Sequence, residues 1–369
     1  GRPVKVREKL REATLDAQME LHPDQADIEF IREETQAMRA GLHDLKGKEK
    51  GMAHRDISRN MKEIKSIQKK IIDDTLDRAE IICSTNVGTG HQLLGARRFP
   101  IVLIDEATQA SEPSALVPIV RGARQLIMVG DHRQLPPTVI SRDAEEGGLN
   151  ISLFERLIAN GLSTTMLTTQ YRMHPVIREF PSSRFYDNRL NDGCSREERP
   201  PVAGFIWPDW DKPVAFIPVR GSESTEQDGS SKTNIDEAAM VLQVLDGLLA
   251  TADIRAEDIG IISPYAGQVR MIEELIIQSS NDYDDLEVKT VDGYQGREKE
   301  IIIISTVRSN EEGKVGFLSD TRRLNVAITR ARRGLIVIGD ENTLRRDDNW
   351  RAWLDWISES GLMAWHMIR

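Results

Sequence analysis

The sequence predicts an α/β protein built on parallel sheets and divided into two domains. Three observations predict it. Short β-branched runs at 101–104, 126–129, 259–262, 301–304 and 335–338 each stop abruptly at a polar residue or a glycine. They lack the alternation of a half-exposed strand, so they read as strands buried on both faces and covered by helices. Helical stretches fall between them, as at 236–250 and 268–278. Finally, 369 residues are more than one hydrophobic core usually organises, and this many buried strands needs two sheets.

Along the chain the first hundred residues differ from the rest. Ile28, Ile31, Thr35, Met38, Leu42 and Leu45 alternate spacings of three and four, which keeps one narrow seam on a helix. Ile57, Met61, Ile64, Gln68 and Ile71 repeat the pattern. Between them, 46–51 carries two glycines and dense charge and reads as a turn. Two matching seams joined by a short connection predict an antiparallel helical hairpin, either a protruding arm or a coiled-coil contact between two chains. Its segment 46–70 holds nine Lys/Arg against three Asp/Glu, a solvated basic face or a nucleic-acid contact. Beyond residue 80 the strands begin. The stretches 221–231 and 282–287 read as surface loops. In such sheets the ligand is expected at the carboxyl ends of the strands. Trp350, Trp353 and Trp356 sit at helical spacing and read as packing.

Composition narrows the function classes. Hydrophobic residues make up 39% and charged residues 29%, which fits a globular chain. No apolar run approaches the roughly 20 residues of a membrane span. Cys83 and Cys194 are the two cysteines, too few for a disulfide framework or a Cys/His zinc site. A cytoplasmic or nuclear setting is the expectation. The net charge of −10 argues against coating nucleic acid by bulk charge. The opening Gly1-Arg2-Pro3 lacks Met, so the true start is expected upstream.

The chemistry sits at strand ends. Asp105-Glu106 follows the 101–104 run. One carboxylate can hold a hydrated Mg2+ and the next can orient or deprotonate an attacking water, although a capped strand end would look the same. Gly130-Asp131-His132-Arg133-Gln134-Leu135-Pro136-Pro137 follows the next run. On that turn Gln134 can touch both a terminal phosphate and a water, and the two prolines stiffen the loop. In Gln170-Tyr171-Arg172-Met173-His174-Pro175, Tyr171 can stack on a base and Arg172 can reach a phosphate, or both can simply pack. Arg330, Arg332 and Arg333 fall within four residues, suiting an arginine finger with phosphate contacts or a solvated basic helix end. Gly293 and Gly296, just before the 301–304 run, allow close approach to a ligand or form a plain turn.

Taken together, Asp105-Glu106-Ala107-Thr108-Gln109, the 130–137 loop, the 170–175 string, Gln295-Gly296-Arg297-Glu298 and Asn325-Val326-Ala327-Ile328-Thr329-Arg330-Ala331-Arg332 resemble superfamily 1 helicases of the nonsense-mediated-decay, Sen-type and immunoglobulin mu-binding group. A DEAD-box assignment fits less well, because Ala107-Thr108 follows the acid pair. The resemblance implies two RecA-like domains of the P-loop nucleotide-hydrolase type. The first would be incomplete, at 1–168, with an inserted helical stalk at 24–75, and the second would span 169–369. It implies ATP and Mg2+ as cofactors, with Asp105 serving the metal, Glu106 the water and Gln134 the γ-phosphate. Tyr171 would stack on adenine, Arg172 and Arg330 would contact phosphates, and Gly296, Glu298 and Arg332 would complete the nucleotide contacts. Ser84, Thr85 and Asn86, after a strand at Ile81-Ile82, resemble a nucleic-acid contact loop, with Pro264, Tyr265 and Thr290 as counterparts in the second domain. The implied activity is ATP-dependent 5′-to-3′ movement on single-stranded RNA or DNA, by a monomer.

One element of the family is missing from the string. No G-x-x-x-x-G-K-[ST] loop occurs: Gly95 is not followed by Lys, and Glu49 stands where a Ser or Thr would follow Gly47-Lys48. Such a loop cradles phosphates with its backbone N–H groups. Gly1-Arg2-Pro3 resembles the end of a segment that follows this loop in the family, so a chain that begins after it is the expectation. The alternative is a non-hydrolysing nucleic-acid-binding or scaffold module.

Overall fold

The computed structural model describes residues 8–226, 229, 231–279 and 283–368. Gly1-Arg2-Pro3 lies outside them. Residue contacts divide the chain into two units, Gly1–Val129 and Gly130–Arg369.

In the first unit, helix α1 (Leu15–Glu20) is capped by Thr14, whose hydroxyl accepts from Ala17 N. Helices α2 (Gln25–Gly41) and α3 (Gly47–Arg78) form the expected hairpin, closed along Ile28, Ile31, Ile64 and Ile71. The seam differs from the sequence reading at one rung. Asn60 is buried and Met61 is exposed, because Asn60 Nδ2 donates to Thr35 Oγ1 at 3.2 Å. A polar pair across the seam is satisfied there, where a thioether would leave the Thr35 hydroxyl without it. The segment 46–51 is not the turn either. Gly47 takes φ +53 to open α3 and Gly51 lies inside that helix, so the chain reverses before Gly47. Arg97 ties the base of α3 through Asp73 at 3.0 Å and Asp77 at 2.8 Å.

Strands β1 (Ile101–Ile104) and β2 (Gln125–Met128) pair in parallel, with α4 (Glu112–Ile119) in the crossover. Val102 and Ile104 are buried, whereas Ile101 and Leu103 are 60% and 61% exposed. The expectation of two covered faces therefore fails for β1, since the described residues of this unit cover one face. The expected strand at Ile81-Ile82 is absent as well. The residues are irregular and Ile81 is exposed, because this two-stranded sheet gives them no neighbour to pair with.

The second unit opens with α5 (Arg142–Glu146) and α6 (Leu153–Ala159). Strands β3 (Thr169–Gln170) and β4 (Asn191–Asp192) form a short parallel pair around α7 (Pro175–Phe185). Next come β5 (Val214–Pro218), the antiparallel pair β6 (Glu223–Thr225) and β7 (Lys232–Asn234), and α8 (Ile235–Leu249). Then follow β8 (Ile259–Ser263), α9 (Ala266–Gln278), β9 (Glu287–Thr290) and β10 (Lys299–Ser305). Helix α10 (Thr321–Ile328), β11 (Ala331–Gly339), α11 (Glu341–Leu344) and α12 (Asp348–Glu359) complete it.

The main sheet of this unit is parallel throughout, in the order β5-β11-β10-β8-β9. Both faces are covered, as the unalternating runs require. Ile302, Ile304, Leu335 and Val337 face α10 and the α12 residues Trp350, Trp353 and Leu354. Ile301, Ile303, Ile336 and Ile338 face Val241, Leu245 and Leu248 of α8. Each such side chain contributes on the order of 1.5–3 kcal/mol. The tryptophans are packing, as expected. The stretch 221–231 departs from the loop reading, because 223–225 pairs as β6, and Glu287 of the acidic stretch begins β9. Gln227, Asp228, Ser230 and Asp282 lie outside the described residues.

Where β10 ends, a buried polar cluster fixes the backbone. Val307 takes φ +72, unusual for a β-branched residue. Its N–H donates to Glu237 Oε2 at 2.8 Å and its carbonyl accepts from Asn234 Nδ2 at 3.1 Å. Ser305 Oγ also donates to Glu237, at 2.7 Å. Complete burial pushes the Glu237 carboxyl up to about 8, against the lowering effect of these donors. The folded value lies above the 4.5 of an exposed glutamate, so the native state holds the extra proton between those two values. The stabilisation is full below the lower value and is lost as pH rises through the upper one. Urea unfolding between about pH 5 and pH 9 should show stability falling with pH, and Glu237→Gln should flatten that slope. Parallel slopes for the two proteins would contradict the assignment.

Candidate functional site

In the first unit the β1 strand ends on the acid pair. Asp105 and Glu106 are exposed, and Glu106 takes φ +51, which turns the chain sharply at the strand's carboxyl end. Glu106 N donates to Asp105 Oδ1 at 3.0 Å, and Gln109 Nε2 donates to Glu106 Oε2 at 2.7 Å. Ala107 N bonds to Val129 O at 2.7 Å, tying the turn to the residue after β2. Both carboxylates are oriented, each with one oxygen engaged, and both face solvent. Ser84, Thr85 and Asn86 form a self-bonded turn in which Thr85 Oγ1 accepts from Gly88 N at 3.2 Å.

In the second unit the 130–137 loop is held from several sides. Asp131 accepts from Arg133 N and from Gln134 Nε2, both at 2.9 Å. Tyr186, just past α7, donates its hydroxyl to Asp131 Oδ2 at 2.5 Å. Asn325 of α10 donates to Tyr186 Oη at 2.7 Å and to Arg133 O at 3.0 Å. Leu135 inserts into the core beside α7 and α10. Arg330 is 3% exposed. Its Nε donates to Val326 O at 2.9 Å, and its Nη2 reaches Gln134 Oε1 and Thr329 Oγ1, both at 3.1 Å. Gln134 and Arg330, 196 residues apart, are therefore in direct contact. Burial and the adjoining Asp131 carboxylate push the Tyr186 phenol well above its usual range, so it remains a donor.

Arg172 joins the same region. Its Nε donates to Glu298 Oε2 at 2.5 Å and its Nη1 to Thr329 O at 3.1 Å. Partial burial works to raise the Glu298 carboxyl. The bond to Arg172 and the charges of Arg172, Arg332 and Arg330 outweigh it and hold the carboxyl below its usual range. Arg332 pairs with Glu300 at 2.9 Å, while its Nε is buried without a partner. His174 N donates to Arg332 O at 2.8 Å. Burial, with the Arg196 charge, pushes the His174 imidazole down to about 4, which keeps it neutral. Tyr171 is 68% exposed, its ring against Gly193, where a Cβ would stand 2.4 Å from Cε1. Gly296 takes φ +73 in open space.

Arg172, Glu298, Arg330 and Arg332 gather where β10 and β11 begin, whereas Asp105 and Glu106 stand at the carboxyl end of β1. The arginines arrive on segments entering the strands, whereas Tyr265 and Thr290 stand where β8 and β9 end. Tyr265 is buried, and its hydroxyl accepts from Arg308 Nη1 at 3.2 Å. Pro264 is half-buried beside it, and Thr290 Oγ1 accepts from Gly293 N at 3.2 Å. The sequence reading did not reach Tyr186 or Asp131 as site residues. Their link spans 55 residues and has no local spacing.

Two AAA domain family models match the chain, at residues 3–142 and at 149–342, the second covering more than half of it. The chain belongs to the superfamily 1 helicases of the nonsense-mediated-decay group. The chain is 40% identical over 83% of its length to a Regulator of nonsense transcripts 1 homolog of Drosophila melanogaster, covering 26% of that protein. It is 44% identical over 75% of its length to Regulator of nonsense transcripts 1 of Dictyostelium discoideum, covering 21% of it. To the ATP-dependent helicase NAM7 of Saccharomyces cerevisiae it is 42% identical over 80% of its length, covering 31%. The chain thus spans about a fifth to a third of these relatives.

Two outcomes follow from the geometry. Tyr186→Phe deletes the hydroxyl that joins Asp131 to Asn325 and should lower stability by about 1–3 kcal/mol in urea unfolding; an unchanged midpoint would remove the phenol from the network. Arg172→Ala should raise the Glu298 pKa toward the ordinary glutamate range, followed by carboxyl 13C NMR titration, and no movement would show that Arg172 is not its dominant partner.

Proposed function

We propose that the full protein is an ATP-driven helicase or translocase on single-stranded nucleic acid, moving 5′ to 3′. The observation that carries this is the Arg330–Gln134 contact within the second unit, held by Tyr186 and Asn325. It joins two motif strings that the family reading assigns to the bound phosphates, Gln134 to the γ-phosphate and Arg330 to the phosphates at large. The functional halves are proposed as two RecA-like domains dividing near residue 168, with the helical arm as an insertion. The names of the relatives, regulators of nonsense transcripts among them, favour RNA as the strand.

The Asp105 donor set suits Mg2+, a hard cation that keeps several waters and binds through one or two carboxylates plus phosphates. When bound, the metal supplies charge neutralisation to the phosphates. Asp105 would hold it, and Glu106, positioned by Gln109, would orient and accept a proton from the attacking water. Gln134 would present its amide to that water and the terminal phosphate. Arg330 and Arg172 would stabilise charge developing on the phosphate oxygens, and Arg172 would have to exchange its bond to Glu298 for one to phosphate. Tyr171, with its exposed ring, would offer a stacking face for the base, and Gly296, Glu298 and Arg332 would complete the nucleotide contacts. Among the described residues no helix is long and apolar enough to cross a membrane. A monomer in a cytoplasmic or nuclear setting completes the proposal.

Replacing Glu106 with Gln in the full-length protein should lower nucleic-acid-stimulated ATP hydrolysis at least ~100-fold while strand binding persists. Hydrolysis at the unaltered rate would sink the proposal, and strand binding without turnover by the unaltered protein would favour a non-hydrolysing scaffold.

A further inference from the structure

Helix α7 joins two parts of the site that the sequence keeps apart. It begins at Pro175, directly after Tyr171-Arg172-Met173-His174, and Tyr186 is its C-cap. Its 11 residues make a rod of about 16 Å. The rod is anchored in the core by Val176, Ile177, Phe180 and Phe185, with Phe180 edge-on to Phe185 at 6.0 Å. At its start His174 Nδ1 accepts from Val176 N at 3.2 Å. Gln170 Oε1 accepts from Arg172 N at 3.0 Å and from Met173 N at 2.7 Å. Arg199 donates to the carbonyls of Arg172 and Tyr171, both at 2.9 Å. The Tyr171-Arg172 pair is thereby fixed to the helix.

At the other end the chain reverses within two residues. Asp187 and Asn188 take φ +53 and +57, a conformation that short polar residues tolerate. Tyr186 N and Asn188 N both donate to Ser182 O, at 3.2 Å and 2.9 Å. The Tyr186 ring packs against the core, as a phenylalanine would, so the hydroxyl serves the 130–137 loop alone. It donates to Asp131 Oδ2 at 2.5 Å and accepts from Asn325 Nδ2 at 2.7 Å. The same Asp131 oxygen accepts from Gln134 Nε2 at 2.9 Å, while Gln134 Oε1 accepts from Arg330 Nη2 at 3.1 Å. A carboxylate only accepts and a guanidinium only donates, so the Gln134 amide has one orientation.

We propose that Tyr186 is a positioning residue for ATP hydrolysis: its hydroxyl fixes Asp131, and Asp131 fixes the amide of Gln134. Through α7 the same residue ties that amide to the Tyr171-Arg172 pair, so a nucleotide whose base engages Tyr171 meets a phosphate sensor already oriented. This rests on the ATP-driven reading above and deepens it. A brace for the fold alone is the poorer account, because the helix is held by its apolar face and the hydroxyl adds nothing to that packing.

The test is strand-stimulated ATP hydrolysis by the full-length protein, with urea midpoints recorded for each variant. Tyr186→Phe should lower kcat about 10- to 100-fold and leave the KM for ATP unchanged, since a misplaced amide is felt in the transition state. In a Gln134→Ala background the same substitution should cost no more than about 2-fold, because its target is gone. Asp131→Asn, which makes a donor of one carboxylate oxygen, should slow turnover in the same way and carries the test if the Phe variant does not fold. Ser182→Ala removes another buried hydroxyl of α7, one that accepts only from Leu190 N at 3.2 Å, and should leave turnover unchanged. Unaltered kcat in Tyr186→Phe, or its full loss repeated in the Gln134→Ala background, overturns the assignment and leaves the translocase reading standing. Slowing by Ser182→Ala to the same extent reduces Tyr186 to a brace and overturns it too. No hydrolysis by the unaltered protein overturns both.

Discussion

A guanidinium almost wholly withdrawn from water organises the second unit. Arg330 stands between the end of α10 and the start of β11 and cannot lose its charge, so burial requires oxygen acceptors aimed at it. The carbonyl of Val326 and the hydroxyl of Thr329 come from its own segment, and Gln134 comes from a loop far away in sequence. That last contact makes the placement of the 130–137 loop a condition of burying Arg330. Asp131, Tyr186 and Asn325 then brace the loop. A half-satisfied polar network costs more than an apolar core, so its members are coupled by necessity.

The same principle operates at the other end of the sheet with opposite consequences. Glu237 is buried among donors that hold Val307 in a left-handed conformation, and the chain emerging from that bend delivers Arg308 to the Glu223 carboxylate. One end of the parallel sheet thus gathers arginines around a glutamine, and the other presents two cations, Lys232 and Arg308, that share one acid. The buried aliphatic strands between them are a rigid spacer, close-packed on both faces.

Much of this was legible in the sequence because burial on both faces leaves a local signature. The runs at 259–262, 301–304 and 335–338 became β8, β10 and β11, and the helices between fell where expected. The motif strings were legible too, since each is contiguous. What escaped was set by long-range partners. Asn60 displaced Met61 from the arm's seam because Thr35 lay opposite. The β6–β7 pair hid in a stretch of polar residues that read as a loop, because pairing is decided by the neighbour and not by composition. Tyr186 had no local pattern at all. The net charge of −10 averages clustered arginines with acidic stretches elsewhere, so it holds no information on either local cluster.

If Gln134 and Arg330 act as one unit on a terminal phosphate, their contributions to turnover cannot be independent. A double-mutant cycle on strand-stimulated ATP hydrolysis by the full-length protein, using Gln134→Ala, Arg330→Ala and the pair, measures this directly. The account predicts that the double variant is no slower than the slower of the two single variants. A loss equal to the product of the two single losses would contradict it.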